Sequence, residues 1–390
     1  MNPDLPSFSL IRDDFAIRLQ RRIGLIPREG LGVARRAILL ALFTWLPIAV
    51  WGFILRRTSE GAVGESLLSH FDIHARCLIA IPCFVIAEGV GAALVPRLLA
   101  LFKMGGIVTP ADEPRFNQIL ADTARLRDRT LAWVLIGVAI VAGVAFGPWA
   151  YGDEPLRWAA EVTANGDRIG FGGWWYLLVV RPLFMALCFA WLWRLVLMCV
   201  LFYRIAQLPL SFVPTHPDRA GGIGFIERSL TMFSPVVFGL SAVAASSFAH
   251  EILFHGGTVT ALRLPMTAVA VVLSIIFLLP MLCFMKALGA AKRRAEAEYG
   301  ALVANHGRAV RRRWIEGDHT APPAMLDAPE LGATADVMVL YTSAKSMRPV
   351  PLSKRGIATI VAPAALPMLV AAATQVPIKS ILLKVLGSLV

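Results

Sequence analysis

The chain has 390 residues, of which 57% are hydrophobic and only 16% charged, and it carries a formal net charge of +12. So few charged residues cannot cover a soluble domain of this size, which leaves a polytopic membrane bundle. Nucleic-acid binding is excluded as the origin of the positive charge, because lysines and arginines gather at the ends of apolar runs rather than over one polar face.

Residues 1–36 are polar and basic, with Arg18, Arg21, Arg22, Arg35 and Arg36, and show no cleavable signal pattern, so the first span is expected to remain as an anchor. Six apolar runs follow within 37–290: Ala37 to Leu55, Cys77 to Val95, Leu131 to Trp149, Trp174 to Tyr203, Leu230 to Phe254 and Leu264 to Leu288. Each has the roughly 20 residues that a helix needs to cross about 30 Å of hydrocarbon. The runs are continuous rather than alternating, so they read as helices. The expected fold class is an all-α transmembrane bundle of six or seven spans with a cytoplasmic N-terminus. On that orientation the cytoplasmic segments hold 28 Lys and Arg against 17 acids and the outer loops 6 against 8, which fits the positive-inside rule. Anionic headgroups on the cytoplasmic side are the expected lipid partners.

Between the second and third runs, Thr109-Pro110-Ala111-Asp112-Glu113 reads as a helix start. Phe116, Ile119, Leu120, Thr123 and Ala124 would form one apolar stripe, either on the membrane surface or packed on the bundle. The third run carries Gly143 and Gly147, a spacing that lets helices approach closely. The fourth, about 45 Å long as a helix, must tilt or project. Residues 291–356 read as a cytoplasmic helix extension through Arg311, Arg312 and Arg313, then a linker or flap after Pro322 and Pro323. Residues 357–390 hold a seventh apolar stretch, Ile357 to Thr374, interrupted by Pro363 and Pro367, which either spans or re-enters; Pro377 to Val390 reads as an interfacial helix.

All five cysteines fall inside apolar runs and give no disulfide framework or zinc spacing. Glu88 is the ionisable residue that stands out: it lies about 17 Å along the helix from Cys77, near the expected bilayer centre, where a buried acid is costly. Two readings follow, an ion or proton site, or a structural pair with Arg181. His70 and His74 would share a face with Glu88 in a helix starting near Glu65, giving a polar approach from outside or ordinary interfacial residues. His250, Glu251 and His255, with Asp72, fall on the same outer side and form a candidate transition-metal or pH site; no other cofactor is expected.

On the cytoplasmic side, Pro214 to Phe225 includes His216, Asp218, Arg219, Gly221, Gly222 and Gly224. Its prolines and glycines dictate a tight loop whose amides could nest an anion, and it matches neither the phosphate loop nor the dinucleotide fingerprint. This Pro-Thr-His-Pro-Asp-x-Ala-Gly-Gly-x-Gly stretch, Pro214 to Gly224, resembles that of an uncharacterised family of bacterial multi-pass inner-membrane proteins. Met347 to Pro351 and Gln375-Val376-Pro377 extend the resemblance. It implies a home in the bacterial inner membrane and no particular activity.

The leading functional expectation is a channel or transporter for a small cation or protons, with Glu88, His70 and His74 as its path and the Pro214–Phe225 loop as an inner gate. The alternatives are a membrane-embedded enzyme or sensor acting through His216 and Asp218, and an accessory subunit or homo-oligomer. The lack of a carboxylate pair, zinc-protease motif or nucleophile elbow weighs against the enzyme.

Overall fold

The computed structural model describes residues 8–11, 14–27, 30–55, 67–151, 158–163, 166–316 and 334–375. Seven helices are long and apolar enough to cross a membrane. They are α2 (Val33–Ile54), α3 (Phe71–Met104), α5 (Thr130–Tyr151), α6 (Phe171–Ile205), α7 (Leu230–Phe254), α8 (Val259–Leu282) and α11 (Lys354–Ala373). Four other helices complete the count among the described residues: α1 (Phe15–Arg22), α4 (Glu113–Arg127), α9 (Met285–Trp314) and α10 (Thr334–Lys345). One short antiparallel hairpin, β1 (Ala160–Thr163) with β2 (Gly166–Ile169), lies between α5 and α6. The outer surfaces of the spans are apolar, with Leu42, Phe43, Leu135, Val138, Ile275 and Leu369 all exposed. A surface of that kind is stable only in lipid, and the chain is an integral membrane protein.

The span α7 lies against α3, α8 and α11. Gly239 lets it approach α3, since a Cβ there would stand 3.0 Å from the Cα of Ala80. The proline-broken seventh stretch is one continuous helix that crosses the bundle rather than re-entering. It starts beside the start of α7, where Glu227 accepts the Ser353 backbone N–H at 2.8 Å and its hydroxyl at 3.0 Å. It ends beside the α7–α8 turn, where the Gln375 amide donates to the Gly257 carbonyl at 2.8 Å and accepts from the Val259 N–H at 2.7 Å. Between its two prolines the Ser241 hydroxyl donates to the Ala364 carbonyl at 2.6 Å, tying α7 to α11. Replacing Glu227 with alanine strips both bonds from the N-cap of α11, each worth about 1.5–3 kcal/mol when the acceptor is charged. The expected result is a lower melting temperature in detergent with new protease cleavage near Ser353; an unchanged protein would show that α11 is held by its apolar face alone.

Both α3 and α6 contain a wide π-helical stretch near the same face, at Ala75–Ala80 and Tyr176–Val180, and in each a proline follows closely, Pro82 and Pro182. A proline withholds an N–H from the carbonyl four residues back, and the widened turn accommodates that loss. On this face Trp158 is fully buried between Trp51 and Tyr176, closing a small second core that includes Ile48, Leu67, Ile73 and Cys77.

On the opposite face α4 starts at Glu113, just after Asp112, whose carboxylate accepts from the Thr109 hydroxyl at 2.8 Å, and buries Phe116, Leu120 and Thr123 in the main core rather than in lipid. Gly143 faces the flexible end of Met185 of α6, and the Gly147 half of the small-residue spacing lies outside the described side chains. Of the segment between 321 and 356, residues 334–345 form α10, which packs on α9. Glu65, the prolines at 322 and 323 and the stretch from Pro377 to Val390 lie outside the described residues.

The N-terminal segment is not an outlying basic tail. Leu10, Ile11 and Ile17 are buried in the main core, with Phe8 and Ile26 beside them. Gly91 of α3 makes room for Ile11, because a Cβ there would stand 2.5 Å from the Ile11 Cδ1 and 3.2 Å from the Met232 sulfur of α7.

Candidate functional site

The charges buried deepest in the bundle form one connected network. Glu88 on α3 is fully buried, with Oε2 accepting from Arg36 Nη2 of α2 at 2.6 Å and Oε1 from Arg194 Nη2 of α6 at 2.9 Å. Arg194 also directs Nε and Nη2 at one oxygen of Asp14, at 3.1 and 2.9 Å, and Arg36 directs Nε and Nη2 at the Gln20 side-chain oxygen, at 3.0 and 2.6 Å. The guanidinium of Arg194 lies over the Trp191 ring, 4.9 Å from its centroid, a cation–π contact that adds to the bonding. The two arginines and Glu88 are 0% exposed and Asp14 is 1% exposed. Four ions therefore sum to zero charge in a sealed site, and each costs several kcal/mol to desolvate without its partners.

Arg181 is not where the pairing expectation put it. The Trp191 indole N–H donates to the Phe84 carbonyl at 3.1 Å, which sets α6 beside α3 and brings Arg194 level with Glu88. Arg181, thirteen residues earlier, stands about 20 Å away along the helix. Glu88 itself lies nearer the N-terminal face than the middle of the bundle: Gly89 abuts Val33, the first residue of α2, and Arg36 is in that helix's first turn.

His70 and His74 are not brought to Glu88. Among the described residues, α3 begins at Phe71, leaving His70 outside it, and the π-helical stretch turns the later residues by roughly 100° relative to a regular helix. Between His74 and Glu88 the buried side chains of α3 are Ala75, Cys77, Ala80, Ile81, Phe84, Val85 and Ala87, an apolar column about 20 Å long. His74 is engaged locally, its Nδ1 accepting from the Trp45 indole at 2.8 Å and its Nε2 facing the Leu67 carbonyl at 3.2 Å.

The outer histidines do gather. His70 stacks on His250 with ring centroids 4.9 Å apart, and His250 Nε2 meets His255 Nε2 at 3.2 Å while its Nδ1 faces the Ser69 carbonyl at 2.8 Å. Stacked rings do not converge their lone pairs. Asp72 turns to Arg76 at 3.2 Å, and the Glu251 side chain lies along Gly257. Among the described residues no group of three or more His, Cys, Asp or Glu side chains is arranged to hold a metal ion.

In the inner loop the chain supplies its own anion. Asp218 accepts backbone N–H groups from Ala220 at 2.8 Å, Gly222 at 3.2 Å and Gly224 at 2.8 Å, so its carboxylate fills the nest that the glycines create. Burial alone raises the Asp218 carboxyl pKa, but those three N–H donors and His216, whose Nδ1 is 2.9 Å away, outweigh it and hold the group below its ordinary value. Gly221 and Gly222 take left-handed φ values of +65° and +92°, and Arg219 does so at +55°. Arg348 locks the loop from outside, donating through its side chain to the Asp218 carbonyl at 2.8 Å and through its N–H to the Arg219 carbonyl at 2.7 Å. His216 remains half-exposed with no nucleophile assembled against it among the described contacts.

Sequence reasoning missed Asp14, Gln20, Arg36 and Arg194 as site residues. A signal existed: Leu10-Ile11, Phe15 and Ile17 are apolar residues spaced through an otherwise basic segment, and Arg194 sits among apolar neighbours with no acid nearby in its own run. No protein-family model, no curated protein and no solved structure matches this chain.

Proposed function

We propose that this protein is a gated transport protein of the bacterial inner membrane, with its N-terminus in the cytoplasm and residues 8–11 and 14–27 closing its inner mouth. The excess of Lys and Arg on the N-terminal side supports the orientation, and the Pro214–Gly224 motif supports the bacterial membrane. The observation that carries the reading is an N-terminal segment seated in the core by Leu10, Ile11 and Ile17 and tied, through Asp14 and Gln20, to two buried guanidiniums. Stability alone does not call for that arrangement, because apolar residues of equal volume serve as well or better than buried ions, whereas ionisable groups inside membrane spans mark solute paths. A route for cations through Glu88 is disfavoured by the two guanidiniums that flank it.

Cutting both polar ties in the full chain, Asp14→Ala with Gln20→Ala, removes bonds worth about 1.5–3 kcal/mol each. Efflux of small ions from proteoliposomes is expected to rise at least about tenfold over the unmodified protein. Folded, monodisperse double variant in vesicles as tight as the unmodified ones would overturn the gate.

A further inference from the structure

The two buried arginines take every acceptor other than Glu88 from the N-terminal segment: Arg194 from Asp14, and Arg36 from Gln20. In addition Arg36 Nη1 and Arg194 Nη1 are buried and have no hydrogen-bond partner among the described residues. Arg36, Glu88 and Arg194 alone sum to +1; Asp14 brings the total to zero. From this geometry we infer that the Arg36–Glu88–Arg194 cluster is a binding site for a small organic monocarboxylate, and that Asp14 is a tethered stand-in for it.

The inference rests on the gated reading above and names its substrate class. Withdrawal of residues 14–27 leaves a positively charged pocket on three spans, and an anion is what such a pocket takes up, since leaving the charge uncompensated is costly. A carboxylate is favoured because Arg194 already holds one through Nε and Nη2, the Nη2 also reaching Glu88. Planar guanidinium forks match carboxylates and discriminate against spherical ions. The amide oxygen of Gln20 on Arg36 marks the place of a second, uncharged acceptor. Glu88 sets specificity by bridging the two arginines: it keeps them parallel to the ligand and limits the pocket to a single negative charge.

The test uses the full chain carrying Asp14→Ala, with pyruvate as the probe and sodium chloride and potassium chloride as controls, read by melting temperature in detergent and by efflux from proteoliposomes. Pyruvate is expected to raise the melting temperature saturably, by roughly 5 °C at excess ligand, with chloride and potassium producing no saturable rise. Adding Arg194→Lys, which keeps the charge and loses the fork, is expected to shift the half-saturating concentration upward by about tenfold. Should Asp14→Ala fail to fold, Asp14→Asn with Gln20→Ala serves in its place, with the same expectations. Equal responses to chloride and pyruvate overturn the carboxylate assignment. Potassium efflux without a pyruvate-dependent shift overturns the anion site and leaves the gate standing. A pyruvate-dependent shift in vesicles that stay tight overturns the gate and keeps the site, and a protein indifferent to every probe on both readouts overturns the two together.

Discussion

Glu88→Gln is expected to lower stability by about 3–5 kcal/mol, the range seen when one member of a buried ion pair is removed and its partner is left charged. Two guanidiniums meet at that carboxylate, at 2.6 and 2.9 Å, with no water-exposed surface on any of the three groups. The glutamine keeps the shape and one acceptor oxygen but leaves a net positive charge in place of balance. Arg36 and Arg194 cannot neutralise themselves, since a guanidinium stays protonated in proteins. The loss would be read as a fall in detergent melting temperature and as exposure of residues 14–27 to protease. Replacing the cluster as a whole, with Arg36→Met, Glu88→Leu and Arg194→Met together and Asp14→Leu added, removes the desolvation cost along with the attraction, and is expected to recover most of the stability. That contrast separates architecture from transport: a stable apolar cluster that no longer binds pyruvate places the charges in function. A loss below about 1 kcal/mol for Glu88→Gln would mean that the carboxylate is wetted after all.

The second large effect is expected at Asp218. Alanine there abandons three backbone N–H groups at once, in a loop whose glycines hold them in a concave arrangement. Bonds to a charged acceptor are worth about 1.5–3 kcal/mol each and do not add fully, so a local loss of about 3 kcal/mol follows. Hydrogen exchange at Ala220, Gly222 and Gly224 should accelerate by roughly two orders of magnitude, with little change in the spans. The pH dependence has a defined sign. Because the folded carboxyl titrates below its ordinary value of 3.8, its contribution is present above that value and is lost as pH falls through the depressed one. Protection in this loop should therefore hold from neutrality to about pH 4 and fail only in stronger acid, whereas Asp218→Asn, which cannot ionise, is expected to be less protected already at neutrality and to lack that acid step. A loop equally protected after Asp218→Ala would mean that Arg348 alone holds it.

The spans were legible because each is an apolar run of membrane length, a property of neighbours in sequence. The loop was legible for the same reason, its prolines, glycines and aspartate acting within eleven residues. What the sequence concealed is set by contacts between distant segments. Glu88 could be identified as costly, but its partners lie 52 and 106 residues away, and the nearer cationic candidate on the fourth span, Arg181, was in the wrong register. The shared face of His70, His74 and Glu88 assumed an unbroken 3.6-residue period, which the wide turn before Pro82 interrupts. The crossing of α11 could not be decided from Pro363 and Pro367 alone, because the hydroxyl of Ser241 and the ties at Glu227 and Gln375 come from other elements.

The bond between Asp14 and Arg194 joins residues 180 positions apart, and this imposes an order on biogenesis. The opening residues leave the ribosome first yet cannot settle until the fourth crossing has been inserted. At about 5–20 residues per second that is a wait of roughly 10–40 s. During it Arg36 and Glu88 enter the membrane with only each other for company, and Arg194 arrives to complete the cluster just as the waiting strand of chain finds its seat.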